Sequence, residues 1–137
     1  MRIEDLSTYQ VLEKREIGDR GEAAAAKYLR KIKCKVLAKN AFFGKKEVDI
    51  IAEDREHIIF AEVKTRTRSE DGALPYGRPI LAVNREKQQN LIAAARMYLA
   101  AHPSSKRLRF DVLEVYLSEG DLKAPPTVVH IPDAFRA

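Results

Sequence analysis

Residues 47–65 read Glu-Val-Asp-Ile-Ile-Ala-Glu-Asp-Arg-Glu-His-Ile-Ile-Phe-Ala-Glu-Val-Lys-Thr, and the fold turns on how this stretch pairs with itself. Two β-rich runs, residues 48–52 and 57–63, flank a short polar link at residues 53–56, the pattern of a hairpin. Side chains alternate along the second run, so Ile58, Phe60, Glu62 and Lys64 point one way and Ile59, Ala61, Val63 and Thr65 the other. Both faces begin apolar, which predicts a central strand covered on both sides. In the first run Asp49 shares a face with Glu47 and Ile51. A turn centred between Asp54 and Arg55 sets Asp49 opposite Phe60, with Glu62 next along that face. A turn centred between Arg55 and Glu56 sets it directly opposite Glu62. Either register gathers the two carboxylates on one side of the sheet.

Charged residues at a strand end are ordinarily a solvated ion-pair network. Here Glu62 and Lys64 continue the face begun by Ile58 and Phe60, so they approach an apolar core, where charge is costly unless paired or metal-bound. A functional site accounts for that cost.

Working outward, the chain of 137 residues with 45% hydrophobic content is about one domain's worth and supports one real core. No apolar run approaches the ~20 residues that span a bilayer, and residues 1–10 are too polar for a signal peptide, so a soluble protein without a membrane partner is expected. The single cysteine, Cys34, has no internal disulfide partner, and no zinc-spaced Cys/His cluster is present, so the cytoplasm is the expected location. The net charge of +5 is unevenly spread. Eight basic residues and no acid lie between Lys27 and Lys46, leaving 17 basic against 20 acidic residues elsewhere. Such a patch suits a polyanion, nucleic acid before anionic membrane; a solvated helix face followed by a lysine-rich strand is the plain alternative.

Before the hairpin, Ser7 with Gln10 has the form of a capping box, Gly18 and Gly21 interrupt, and a second start near Asp19 leads into residues 23–30. This is one long helix or two pieces, with Ala25, Tyr28, Leu29 and Ile32 as a buried stripe and Glu22 in an early turn of the second piece. Residues 35–40 read as a strand and 41–46 as a loop. After the hairpin, residues 66–82 form a loop long enough to suggest function, with Arg66, Arg68 and Arg78 suited to phosphate contacts. Asn84 caps a helix over residues 85–101 that buries Leu91, Ala94, Ala95, Tyr98 and Leu99. Residues 108–117 form a strand, 120–126 a turn-rich link, and 128–131 a short edge strand, with an irregular tail from Pro132. Helices alternating with an apolar sheet predict a three-layer α/β/α domain around a central mixed sheet, residues 1–137 making one unit with an N-terminal helical extension over about residues 1–17.

Asp49 followed by Glu62-Val63-Lys64 resembles the Asp and Glu-x-Lys signature of restriction-endonuclease-like, or PD-(D/E)xK, nucleases. Four segments carry a closer likeness: Gly18-Asp19-Arg20-Gly21-Glu22-Ala23-Ala24, Glu47-Val48-Asp49-Ile50-Ile51, Ala61-Glu62-Val63-Lys64-Thr65-Arg66 and Arg109-Phe110-Asp111-Val112. In this order they resemble the YraN family of bacterial proteins, which is related to archaeal Holliday-junction resolvases, over residues 18–135. The resemblance implies a restriction-endonuclease-like fold and a DNA endonuclease, acting on branched or recombination intermediates. A two-fold homodimer is compatible with it. Relatives commonly carry Gly where this chain has Lys46.

Phosphodiester hydrolysis uses a hard cation to neutralise charge on phosphoryl oxygens and to lower the pKa of a bound water. Mg²⁺, or Mn²⁺ in its place, is satisfied by two carboxylates and a backbone carbonyl, a role for Asp49, Glu62 and the carbonyl of Val63. Lys64 would orient the attacking water or stabilise charge at phosphorus. By the resemblance, Glu22 would bind a second ion or help place the water. Lys45, Lys46, Lys87 and Gln88 join the three arginines as expected DNA contacts, and Asp111 reads as structural or as a support for the site residues. A nucleic-acid-binding module that keeps the fold without catalysis is the competing expectation.

Overall fold

The structure, a computed structural model, describes residues 3–68, 78–118 and 124–137, with side chains from residue 14 onward. Seven main elements follow one another: helix α1 (Ile3–Lys31), strands β1 (Lys35–Phe43), β2 (Lys46–Glu53) and β3 (His57–Arg68), helix α2 (Arg85–Ala101), and strands β4 (Arg107–Ser118) and β5 (Thr127–Phe135). The strands lie in the order β1-β2-β3-β4-β5. Only β3 and β4 run parallel; the other neighbours are antiparallel. Strand β3 is central because its alternation is apolar on both faces. Ile59, Ala61 and Val63 pack with Ala25, Ala26 and Leu29 of α1, while Ile58 and Phe60 pack with Leu91, Ile92, Ala94 and Ala95 of α2. The result is a mixed sheet between two helical layers, the expected α/β/α arrangement.

Local departures from the sequence reading have physical causes. Helix α1 is one piece, so neither glycine interrupts it and Ser7 lies inside it rather than at its start. Gly21 is where the helix crosses the sheet: a Cβ there would lie 1.7 Å from Thr65 Oγ1. Gly18 has open space around it. At the far end, Lys33 at φ 70 turns the chain, Cys34 N–H donates to Leu29 O and Lys33 N–H to Arg30 O, the hydrogen-bond pattern of a Schellman cap. That early stop leaves Ile32 exposed rather than in the buried stripe. Strand β1 extends through Phe43 instead of ending at Asn40, and a two-residue turn with Gly44 at φ 64 returns it to Lys46, so the expected loop at 41–46 is mostly strand. Strand β5 runs to Phe135 where an irregular tail was expected. The side chains of Ser7, Gln10, Val11 and Leu12, residues 69–77 of the long loop and residues 119–123 of the link lie outside the described residues.

Two buried carboxylates on β4 fasten these connections. Asp111 accepts from Arg109 Nε and Nη2, from His130 Nε2 at 2.7 Å and from the Asp133 N–H. Tyr28 of α1 donates to His130 Nδ1 at 3.2 Å. Glu114 accepts from Arg78, from Tyr116 Oη and from the Ile80 N–H, holding the single 3-10 turn Pro79–Ala82 against the sheet. Of the two readings open for Asp111, these contacts support the structural one.

Because only Gly21 is pressed against a neighbour, the two helix glycines respond in opposite directions. Gly18→Ala gains helix propensity and is expected to raise stability by ~0.5–1 kcal/mol. Gly21→Ala meets Thr65 and is expected to lower it by ~1–3 kcal/mol. Urea denaturation midpoints of the two variants check this, and equal shifts would contradict the packing role of Gly21.

Candidate metal centre

Strands β2 and β3 part company partway along their length. Their ladder ends at Ile50↔Ala61, in the second of the two registers open to the sequence, and Asp49 and Glu62 each lie one residue beyond its end. Beyond Ile50, β2 stays paired with β1, through Ala41↔Val48 and Phe42↔Glu47. The Val63 N–H therefore faces a fork instead of a partner strand, and the Asp49 carboxylate fills the fork, accepting that N–H through Oδ2 at 2.8 Å. Strict alternation fails here: Val48 and Ile51 both belong to the core facing α2, while Ile50 faces α1. Asn40, at φ 50, marks the corresponding kink in β1.

The fork gathers acids from three elements. Carboxylate oxygens of Glu22, Glu47 and Asp49 lie within 4.8 Å of one another, among the described residues the one group with metal-ligand spacing. Gly21 sets α1 close enough to β3 to bring Glu22 there. Burial pushes the Glu22 carboxyl up, with repulsion from Glu47 and Asp19 adding to it, while a hydrogen bond with Asn40 and the charge of Lys39 oppose it. Asp49 is pushed up to about 7, first by burial, then by repulsion from Glu62, with Glu22 and Glu47 adding to it against the single Val63 N–H.

Glu62 approaches from the side of the sheet covered by α2. Its Oε1 lies 3.2 Å from Lys64 Nζ and 3.6 Å from Lys87 Nζ, so a buried carboxylate is shared by two ammonium groups. The acids that share metal-ligand spacing are Glu22, Glu47 and Asp49; Glu62, expected as the partner of Asp49, is not in that group and is engaged by two lysines.

Other expected contact residues are differently engaged. Gln88 Nε2 donates to Val83 O at the start of α2, and Arg78 pairs with the buried Glu114 at 2.7 Å. Arg66 Nη1 donates to Thr65 O, and the Arg68 guanidinium lies 4.3 Å over the Tyr116 ring. Lys45 is exposed and Lys46 half-buried at the β1–β2 turn, and the other basic residues of the patch are exposed. Sequence reasoning missed Asn40 and gave Glu47 no role. An asparagine that tolerates positive φ is a weak signal for the first, and two-residue spacing from Asp49 is the available signal for the second.

Comparison with known proteins follows the same segments. A model of the family described as "Uncharacterised protein family UPF0102" matches residues 21–115. A UPF0102 protein of Trichlorobacter lovleyi is 40% identical over 121 residues, covering 87% of this chain and 89% of the relative. UPF0102 protein TTE1452 of Caldanaerobacter subterraneus is 39% identical over 123 residues, 89% of this chain and 96% of the relative. A third, UPF0102 protein CD630_12710 of Clostridioides difficile, is 36% identical over 122 residues, 88% of this chain and 97% of the relative.

The raised Asp49 carboxyl has a signed consequence. Between the ordinary value of 3.8 and about 7 the folded chain keeps a proton that the unfolded chain has released, so this group withdraws stability as pH climbs through that window. In chelator, Asp49→Asn is expected to melt higher than the parent at pH 8, by ~5 °C. The gap should close toward pH 4. Thermal melts across this range check it; a variant that melts lower at pH 8 would contradict the burial and repulsion assigned to Asp49.

Proposed function

This chain belongs to the UPF0102 family, and we propose that it is a metal-dependent endonuclease hydrolysing phosphodiester bonds in DNA on a restriction-endonuclease-like frame. The observation that carries the reading is the fork itself, where carboxylate oxygens of Glu22, Glu47 and Asp49 lie within 4.8 Å of one another and Lys64 and Lys87 pair with the neighbouring Glu62. An all-oxygen acidic cluster suits Mg²⁺ or Mn²⁺, and a divalent cation relieves the repulsion that lifts Asp49. Asp49, Glu62 and the carbonyl of Val63 would hold it, with Glu22 and Glu47 as further oxygen donors.

When bound, the cation supplies charge neutralisation at the phosphoryl oxygens and a more acidic water. The chain's own groups do the rest. Lys64 Nζ donates to a phosphoryl oxygen or to the attacking water, and Lys87 Nζ, 3.6 Å from Glu62 Oε1, holds that carboxylate in place. Exposed lysines between Lys27 and Lys45 track the phosphate backbone, whose counterions they displace. Branched or recombination intermediates are the proposed substrates and a two-fold pair the proposed acting form. The cytoplasm is the proposed location; among the described residues no helix is long and apolar enough to cross a membrane, and Cys34 is a free, buried thiol.

The test is cleavage of end-labelled branched, single-stranded and duplex DNA in Mg²⁺, Mn²⁺ or chelator. Cleavage is expected only with metal, and Asp49→Ala and Glu62→Ala are each expected to reduce it ~100-fold or more. A parent that binds DNA but never cuts it, with affinity unchanged in both variants, would make the chain a binding module.

A further inference from the structure

We propose that Phe42 is a base-stacking post that directs the site to DNA carrying unpaired nucleotides; this rests on the nuclease reading above and names its substrate class. Phe42 is 65% exposed near the tip of the β1–β2 hairpin. It belongs to neither core cluster, whereas the adjacent Phe43 packs inward, edge-on to Tyr98 with ring centroids 6.3 Å apart. Among the described residues it is the one aromatic group of the exposed large hydrophobics.

Its position gives that exposure a use. Phe42 is the direct cross-strand partner of Glu47, and directly opposed residues share a face with Cβ atoms ~5 Å apart. Glu47 is one of the three acids whose oxygens converge within 4.8 Å. A flat apolar face therefore stands beside the acidic cluster, not at random on the surface. Exposed Lys39 and Lys45 lie three residues to either side along the chain, so the post is flanked by positive charge complementary to a phosphate backbone. Aromatic rings bind nucleic acid by stacking on a base face, which paired duplex hides and an unpaired nucleotide offers. A base seated on Phe42 would leave its neighbouring phosphate at the fork. The ring thus acts on specificity by touching substrate, and takes no part in bond cleavage.

The test is fluorescence anisotropy of the full chain with labelled duplex DNA and with the same duplex bearing a single-stranded flap, in Ca²⁺. Phe42→Ala is expected to weaken flap binding ~5- to 50-fold while leaving duplex binding within about two-fold, and Phe42→Trp to retain both. Because the ring is solvent-facing, the melting temperature should not move. Equal losses on the two DNAs, no loss on either, or no DNA binding by the parent would overturn the proposal. Metal-dependent cleavage by a parent whose Phe42→Ala variant shows no split would sink the stacking post alone. A split without cleavage would sink the nuclease reading and keep the post.

Discussion

One backbone N–H, that of Val63, sets the terms for the rest of the molecule. Strand β2 leaves β3 after Ile50↔Ala61, and a buried N–H without an acceptor costs about 1–3 kcal/mol. The Asp49 carboxylate supplies the acceptor at 2.8 Å, closing the sheet with a side chain where backbone would ordinarily serve. Closing it this way commits an acid to a desolvated place. Helix α1 then brings Glu22 to the same spot because Gly21 lets it ride on Thr65, and the diverging β1–β2 hairpin brings Glu47.

The chain holds fully buried acids elsewhere, and their contrast with the half-buried Asp49 separates architecture from chemistry. Asp111 and Glu114 are both fully shielded from solvent, yet hydrogen bonds from His130, Arg109 and Asp133, and from Arg78, Ile80 and Tyr116, keep both carboxyls below their usual range despite burial. Each is charged, saturated and needs nothing further. Asp49 receives one N–H and faces three like charges, so its charged form is under-satisfied. A buried acid with its partners in place is a staple; Asp49 instead sits among like charges with the Val63 N–H as its hydrogen-bond donor.

Much of the fold was legible because period-two alternation and helix signals are local. Residues 57–63 announce a strand apolar on both faces, and Asn84 caps α2 as its side chain allows, accepting from the Lys87 N–H. Spacing allowed two registers for the β2–β3 hairpin, and the Ile50↔Ala61 ladder takes the second, while the acids with metal-ligand spacing are Glu22, Glu47 and Asp49. Less legible were features that depend on contacts distant in sequence. Gly21 reads as a helix breaker unless Thr65 is known to lie against it, and the kink at Asn40 breaks the alternation from which faces are inferred. Glu47 joins the acids for the same reason: its carboxylate meets Glu22 only once α1 has docked.

The parallel pairing of β3 with β4 has a temporal consequence. Glu22, Asn40, Glu47, Asp49, Glu62 and Lys64 all precede residue 69, so the acidic fork is synthesised before any part of β4 (Arg107–Ser118). Hairpins with short turns close early, whereas β3–β4 pairing joins residues 50 positions apart, as in His57↔Arg107. Until that distant partner arrives, β3 presents an open edge of bare amides along its apolar run, Ile58 to Ala61. A nascent or truncated chain therefore carries its acidic cluster on a surface prone to self-association, and the C-terminal half earns its place as the cover for that edge.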